Sequence, residues 1–220
     1  MRVLPILFNT EMVRAILDGR KSCTRRLVKP QPDEKHTFPL GFVTDSTEKK
    51  EAGCFGFGID EYGGSIQYAK PPYQPGDTMY VRETWYKGLE RYIYRADYSD
   101  TEKFYRDGKE IEMKWHPSIH MPKEAARIWL KVTDVRVERL QKITEDGAKA
   151  EGINEEWARS WWAPTYYDPD SGGYPQYRDT FAFEIWNNTI KKSDLDRYGW
   201  DANPYVFVIE FERCEKPIDA

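Results

Sequence analysis

The sequence contains few residues of the kinds that form cross-links or bind metal ions. Three cysteines and three histidines occur among its 220 residues. The cysteines are Cys23, Cys54 and Cys214. Their odd number and the lack of a C-x-x-C spacing predict reduced thiols, with neither a disulfide framework nor a zinc finger.

His116 and His120 are four positions apart, but Pro117 disfavours a helix that would present both to one metal. We therefore expect no metal and no cofactor.

Long apolar runs are also missing. No stretch approaches the roughly 18 to 20 apolar residues that a helix needs to cross a bilayer. The first residues, MRVLPILFNTEM, lack the long apolar segment and the small-residue cleavage site of a signal peptide. We therefore expect a cytoplasmic protein without a membrane partner, and the sequence leaves its oligomeric state open.

The sequence also lacks an excess of positive charge. The chain has 33 Lys and Arg against 37 Asp and Glu, for a net charge of -4. This balance argues against a protein that coats nucleic acid nonspecifically, because that mode depends on many phosphate contacts. A local basic site is still compatible with this net charge, because the sequence contains one dense basic cluster. Its members are Arg14, Arg20, Lys21, Arg25, Arg26 and Lys29.

The apolar and aromatic content, 40% and 15%, is sufficient for a buried core. Periodicity and capping signals predict strands near 3–8, 75–85, 91–98, 127–140 and 204–213, and helices near 9–19, 143–153 and 179–190. Asn9 or Thr10 can cap the first helix and Gly19 can close it. In 127–140 the alternation shifts by one position, which predicts a bulge near Thr133 and Asp134. Strands scattered among short helices predict an α+β fold on a mostly antiparallel, barrel-like sheet.

We expect a single domain over residues 1–220 that carries two insertions. The first lies near 31–74, where Gly63 and Gly64 indicate a hairpin. The second lies near 154–178 and is rich in aromatic residues, glycine and proline, which predicts a surface loop.

Residues 19–26, GRKSCTRR, match the Gly-x-Lys-x-x-(Thr/Ser/Glu)-x-Arg signature of ASCH domains, a branch of the PUA-like superfamily. Gly19, Lys21, Thr24 and Arg26 occupy the four motif positions. Three further stretches, PGDTMYVRETW, LQKITEDGAKAEGI and YVFVIEF, follow in the order of the family's elements. Most of the chain resembles the larger ASCH proteins of phages and prophages.

The resemblance implies a small β-barrel flanked by short helices, with a cleft that binds RNA or a modified nucleoside. The small members with the most similar motif are amidohydrolases that remove the acetyl group from N4-acetylcytidine. By position, their catalytic residues correspond to Lys21 as proton acceptor, Thr24 as nucleophile and Glu151 as proton donor.

The chemistry makes specific demands on these residues. A threonine hydroxyl needs a neighbouring base, and a lysine can act as one only if its pKa is lowered. A glutamate beside Lys21 has the opposite effect, because it stabilises the ammonium, so the two groups titrate as a coupled pair or one role is misassigned. Arg26 or a backbone N–H freed at the end of the helix could hold the oxyanion, while Glu83 could bind an exocyclic amine and Trp85 could stack on a base.

Other interpretations of these residues stay open. The basic cluster could be a solvated turn that complements a helix dipole, and Glu151 a helix-surface carboxylate. Glu83 could pair with Arg82 or Arg127, and Trp85 could pack in the core. Cys23 could be a nucleophilic thiol or an idle one.

Three functions are therefore compatible with the sequence. They are a metal-independent amidohydrolase acting on an N4-acylated cytidine or a related nucleoside, a noncatalytic module that binds RNA or a modified nucleotide, and a ribonuclease of the ASCH type.

Overall fold

A computed structural model describes residues 2–46, 48–106, 108–166 and 177–218. The strands are β1 (Val3–Leu7), β2 (Cys23–Leu27), β3 (Phe38–Phe42), β4 (Phe55–Gly58), β5 (Ile66–Ala69), β6 (Thr78–Arg82), β7 (Trp85–Lys87), β8 (Tyr92–Tyr94), β9 (Phe104–Arg106), β10 (Lys109–Ile111), β11 (Trp129–Arg139) and β12 (Tyr205–Cys214). The α-helices are α1 (Thr10–Leu17), α2 (Glu145–Ala150), α3 (Glu155–Tyr166), α4 (Tyr177–Thr180), α5 (Asn187–Thr189) and α6 (Leu195–Tyr198). A π-helix, Phe181–Trp186, joins α4 to α5.

The main sheet has five strands in the order β1-β6-β11-β12-β2. Only the β1–β6 pair is parallel, and the other three pairs are antiparallel. The predicted α+β class with a mostly antiparallel sheet is therefore confirmed. A closed barrel is not shown, because strand pairing in the described part of the chain leaves β1 and β2 as free edges. The two edges approach at one point, where Arg26 of β2 donates to the Leu7 carbonyl of β1 over 3.5 Å.

The predicted irregularity in the longest strand is confirmed. The register between β11 and β12 shifts between Val132 and Asp134. Val132 and Val135 are both buried, whereas Thr133 and Asp134 are exposed. A bulge at this place lets one strand present apolar residues to the same core on both sides of the phase change.

Residues 31–74 form a small sheet with the order β3-β4-β5. The predicted hairpin joins β4 to β5, and Gly63 and Gly64 take the left-handed backbone conformation in its turn. This sheet contributes to the main core, since the ring of Phe57 is fully buried and lies 4.9 Å from that of Tyr205.

Residues 155–166 were expected to be loop, and that expectation is wrong, because they form α3. Asn154 caps this helix by accepting a hydrogen bond from the Trp157 amide at 2.8 Å. Glu155 and Glu156 follow in the first turn, where carboxylates favour a helix N-terminus. The aromatic and Gly/Pro content of the whole segment obscured this start signal, and residues 167–176 of it lie outside the described residues.

The predicted helix near 179–190 is confirmed, with a local widening. Phe181, Ile185 and Trp186 are buried as expected. The six residues Phe181–Trp186 form a π-helix between α4 and α5. Such widened turns are rare and often occur at functional sites.

Gly152, just after α2, lies where three parts of the fold meet. Its φ is +104°, and a Cβ there would lie 2.7 Å from the Ala15 Cβ and 3.2 Å from the Lys21 Cβ. The end of α2 can therefore pack against α1 and the motif lysine only when residue 152 has no side chain.

We expect Gly152→Ala to destabilise the protein by about 2–5 kcal/mol, from the left-handed backbone and from overpacking together. Gly76→Ala is the matched control, because Gly76 also has positive φ, +87°, but open space where its Cβ would be. Its cost should be only the backbone part, about 1–2 kcal/mol. Urea denaturation of both variants measures the difference, and equal losses would contradict the close packing at Gly152.

Candidate functional site

The motif is held by two helices before it becomes β2. The amides of Arg20 and Lys21 both donate to the Ala15 carbonyl near the end of α1, at 2.8 and 3.0 Å. The amide of Ser22 donates to the Ala150 carbonyl at the end of α2, at 3.0 Å. The turn after α1 therefore brings the motif lysine against the C-terminal end of α2, 130 positions later in the chain.

Lys21 is buried and its ammonium has a full set of acceptors. Its side chain has no exposed surface. The Nζ atom lies 2.8 Å from each of three oxygens: the Cys23 carbonyl, the Glu151 carbonyl and Glu151 Oε2. A lysine ammonium has three N–H donors, so all of them are used. The interpretation of Lys21 as part of a solvated turn is therefore wrong.

Glu151 joins two cations. Its Oε2 accepts from Lys21, and its Oε1 accepts from Nη1 of Arg25 at 3.1 Å. Its side chain is 2% exposed, and that of Arg25 is 3% exposed. The interpretation of Glu151 as a helix-surface carboxylate is therefore wrong. We call Lys21, Arg25 and Glu151 the buried charge cluster.

Strand β2 separates the motif residues onto two faces. Successive side chains of a strand point to opposite faces, so Cys23 and Arg25 share one face and Thr24 and Arg26 the other. Thr24 is 2% exposed and pairs in register with Ile209. Within the described chain, no hydrogen bond joins the Thr24 hydroxyl to Lys21 or Glu151. The structure thus brings two of the three predicted catalytic residues into direct contact and leaves the third outside their hydrogen bonds.

Arg26 has a different environment from Arg25. Its guanidinium lies 5.7 Å from the centre of the Phe8 ring and donates to the carbonyls of Arg25 and Leu7 only over 3.5 Å. No carboxylate of the described residues lies within 4.0 Å of it. Burial lowers the pKa of this guanidinium, although arginine stays protonated at neutral pH. Arg26 is therefore a half-buried cation without a carboxylate partner among the described residues.

A cavity of about 400 Å³ lies beside Arg26, at the free edge of β2. We call it the Arg26 cavity, and its walls include Arg26, Lys29, Pro72, Tyr73, Trp186 and Thr189. The π-helix supplies Trp186. Arg25 also reaches this wall, and its buried Nε has no hydrogen-bond partner among the described residues. The wall is basic and aromatic, and no acidic residue of the described chain is part of it.

Cys23 has the properties of an inert thiol. It is buried, and burial together with the charge of Glu151 raises its pKa to about 12, against smaller opposing effects of Lys21 and Arg25. A thiol with this pKa has almost no thiolate at neutral pH, and the thiolate is the nucleophile. The nucleophilic alternative for Cys23 is therefore not supported by its environment.

Glu83 forms a bidentate ion pair with Arg127. Its two oxygens accept from Arg127 Nε and Nη2 at 2.9 and 3.0 Å. The predicted structural pairing with Arg127 is thus confirmed. Burial raises the pKa of this carboxyl, and the contact with Arg127 opposes the rise.

Trp85 belongs to a second, smaller core with Met121 and Ala125. Its ring packs edge-on against Tyr92, with 5.6 Å between ring centroids. The contacts recorded for Glu83 and Trp85 do not include the buried charge cluster. Their roles in substrate binding stay predictions.

Some residues of the site were not singled out from the sequence. For Arg25 the sequence does carry a signal of its place in the site. A residue two positions from Cys23 lies on the same face of a strand as Cys23. Tyr73 and Trp186 had none, since they reach the Arg26 cavity from a loop and from the π-helix.

The described residues contain neither a metal-binding cluster nor a membrane-spanning helix. No group of three or more His, Cys, Asp or Glu side chains is arranged to hold a metal ion. No described helix has the length and apolar character needed to span a membrane.

Comparisons with known proteins give one match. No family model matches the chain, and a search of curated proteins found no match. A search of solved structures matched a crystal structure of an ASCH domain from Lactobacillus crispatus JV V101, which is 14% identical. The match covers 96% of this chain and 79% of that one, with a TM-score of 0.35. This is the family that the motif resembles.

We expect Glu151→Gln to destabilise the protein by about 3–5 kcal/mol, because it removes the one carboxylate that pairs with buried Lys21 among the described residues and leaves Arg25 only the longer contact with Glu138, at 3.8 Å. Asp146→Asn is the matched control in α2, since Asp146 is 92% exposed and pairs only with exposed Lys149. Its cost should be below about 1 kcal/mol. Urea denaturation at neutral pH measures both, and a small effect of Glu151→Gln would show that the cluster contributes little to folding.

Proposed function

We propose that the protein binds RNA or a modified nucleotide in the Arg26 cavity, as a module of the ASCH type that its motif resembles. The observation that carries this proposal is the guanidinium of Arg26, which is half-buried beside the Phe8 ring and lacks a carboxylate partner among the described residues. The neighbouring Arg25 differs, since Glu151 compensates its charge.

An uncompensated cation that has lost part of its hydration is costly for the folded protein, and a bound anion lowers that cost. A phosphate group suits the position, because a guanidinium binds phosphate oxygens through two parallel N–H donors. Lys29, exposed at the rim of the cavity, supplies a second positive charge for the same ligand.

The size and walls of the cavity fit the remainder of a nucleotide. Its volume of about 400 Å³ lies within the range of small-molecule sites, about 300–1,000 Å³. Tyr73 and Trp186 are the aromatic members of the wall, and both are buried in the main core, so they limit the width of the cavity.

We expect Arg26→Ala to weaken binding of a fluorescein-labelled oligouridylate by about tenfold to a hundredfold, the effect of losing one charge-assisted contact. Arg91→Ala is the control, because Arg91 is an exposed arginine in the β7–β8 turn and its loss changes the net charge equally. Fluorescence anisotropy at several salt concentrations measures both variants.

The variant should also show a shallower salt dependence, by about one phosphate contact. Thermal unfolding of Arg26→Ala checks that it is folded. Equal affinities of the two variants for the oligouridylate would contradict the proposal.

A second candidate is amide hydrolysis of an N4-acylated cytidine. The contact of 2.8 Å between Lys21 Nζ and Glu151 Oε2 favours it, because this pair is the one assigned as base and acid by the motif resemblance. An ion pair of lysine and glutamate holds one proton between the two groups. Moving that proton to Glu151 creates a neutral amine and a carboxylic acid in a single step.

In that reaction the Thr24 oxygen would attack the acyl carbon while Lys21 takes the hydroxyl proton. Collapse of the tetrahedral intermediate would break the C–N bond, and Glu151 would protonate the departing amine of the cytosine. Water would then hydrolyse the ester on Thr24. The transfer would also weaken the ion pair that Glu151 makes with Arg25, whose Nη1 lies 3.1 Å from Oε1.

For this candidate, the protein is incubated with N4-acetylcytidine and the products are separated by chromatography. Cytidine and acetate should be released. Lys21→Ala and Thr24→Ala should each lower the rate by at least about 100-fold, as loss of a general base or nucleophile does. Asp146→Asn, on the exposed side of α2, should not change it. Absence of turnover across a panel of acylated nucleosides would exclude this candidate and leave the binding proposal intact.

A further inference from the structure

The Arg26 cavity lies beside β2 and not over one of its faces. Arg25 and Leu27 point to one face of the strand and Arg26 to the other, yet all three line the cavity. A space that contacts residues of both faces must lie at an edge of the strand. Because β12 pairs with one edge of β2, the cavity borders the other, unpaired edge.

The register with β12 determines which backbone groups point to this unpaired edge. At one end of the ladder the Val28 amide donates to the Tyr205 carbonyl, and at the other end the Phe211 amide donates to the Ser22 carbonyl. Hydrogen-bonded pairs alternate along an antiparallel ladder, so residues 22, 24, 26 and 28 direct their backbone groups to β12. The N–H and C=O groups of residues 23, 25 and 27 therefore point the other way.

The contacts of the unpaired edge agree with this assignment. The Cys23 carbonyl accepts from Lys21 Nζ at 2.8 Å, on the side away from β12. The Arg25 carbonyl accepts from Nη1 of Arg26 only over 3.5 Å, which is longer than an ordinary N–H···O hydrogen bond. The Leu27 N–H has no partner on this side among the described residues. The Arg25 C=O and the Leu27 N–H are thus an acceptor and a donor that lie next to each other at the cavity.

The nearby edge of β1 does not supply partners for these two groups. Its Pro5 has no N–H, and the Pro5 carbonyl accepts from the Tyr73 hydroxyl at 2.7 Å. The Leu7 carbonyl faces the side chain of Arg26. Buried or half-buried backbone groups in native proteins are nearly always hydrogen-bonded, so the free donor and acceptor of β2 indicate a ligand.

The free stretch of β2 is too short to pair with a further strand. A β-strand usually has at least about three residues, whereas the Cys23 carbonyl is used by Lys21 and the Val28 amide by β12. A small planar ligand that presents one donor beside one acceptor matches what remains. The Watson–Crick edge of a nucleobase has this pattern, and proteins bind unpaired bases through hydrogen bonds to that edge.

We propose that the Arg26 cavity takes one unpaired base, whose Watson–Crick edge donates to the Arg25 carbonyl and accepts from the Leu27 N–H. This inference rests on the proposed binding function and deepens it, because it names the groups that recognise the base. Bases within a duplex use the same edge for pairing, so double-stranded nucleic acid is excluded from the cavity. One backbone donor and one acceptor suit each of the four bases, so the site selects unpaired bases and not a sequence.

The test uses the full-length protein and measures competition against the labelled oligouridylate. The competitors are uridine 5′-monophosphate, 3-methyluridine 5′-monophosphate, 5-methyluridine 5′-monophosphate and ribose 5-phosphate. In uracil, the N3–H group and the O4 atom are the donor and the neighbouring acceptor of the Watson–Crick edge. A methyl group on N3 removes the donor and blocks the edge, whereas a methyl group on C5 adds the same volume and leaves both groups intact.

We expect the methyl group on N3 to weaken binding by about tenfold or more, because it leaves the backbone groups of β2 without partners. The 5-methyl nucleotide should bind within about twofold of uridine 5′-monophosphate. Ribose 5-phosphate, which lacks a base, should be at least as weak as the 3-methyl nucleotide. An oligouridylate annealed to oligoadenylate should compete much less than the single strand.

A change of the protein backbone tests the same contact from the other side. Leu27→leucic acid keeps the side chain and replaces the backbone N–H by an ester oxygen, and thermal unfolding checks that the variant is folded. It should weaken uridine 5′-monophosphate by about fivefold to tenfold and leave the 3-methyl nucleotide unchanged, because the methyl group already prevents the edge contact.

The inference is overturned if uridine 5′-monophosphate does not compete, if ribose 5-phosphate, the 3-methyl nucleotide or the duplex binds equally well, or if folded Leu27→leucic acid binds without loss. Equal losses for the two methylated nucleotides would also overturn it, since they would show exclusion by size. In each of these cases an effect of Arg26→Ala on the oligouridylate would keep the proposed function. If Arg26→Ala changes the binding of no probe, the proposed function itself fails.

Discussion

The contact on which the rest of the site depends is the buried carboxylate of Glu151 between Lys21 and Arg25. It joins the turn after α1 and strand β2, which are consecutive in the chain, to the end of α2, 130 positions after Lys21. Buried charges are tolerated only when they are paired and hydrogen-bonded, so these three elements must keep their positions for the cluster to exist. Gly152 permits the arrangement by leaving space for Lys21 beside α2.

The alternation of side chains along β2 then places Arg25 and Arg26 in different environments. Arg25 points toward the helices and is compensated by Glu151. Arg26, the next residue, points to the other face, where Phe8 offers only its ring and two carbonyls lie at the limit of hydrogen bonding. The strand that Arg25 ties to Glu151 thus carries Arg26 at the wall of the Arg26 cavity, which is the position that the binding proposal requires.

Much of the fold was predictable because local physical chemistry specifies it. Asn9 caps α1 and Thr144 caps α2 as their sequence patterns indicate, and the phase change in 127–140 identified the bulge of β11. The helix at 155–166 was missed because the turn-forming residues farther along the segment outweighed one capping signal. The closed barrel implied by the family resemblance is not shown, since whether edge strands pair depends on how the whole sheet curves and not on any local pattern.

The sequence by itself determined the class of fold, most element positions and the motif residues Lys21, Thr24 and Arg26, and its family resemblance added Glu151 as a candidate. Only the tertiary structure decided which of them meet. It joined Lys21 to Glu151 across 130 positions, recruited Arg25 to the same carboxylate, and placed Tyr73 and Trp186 around Arg26. The reason is that periodicity and capping act over a few neighbouring residues, whereas pairing of buried charges and formation of a cavity depend on long-range packing.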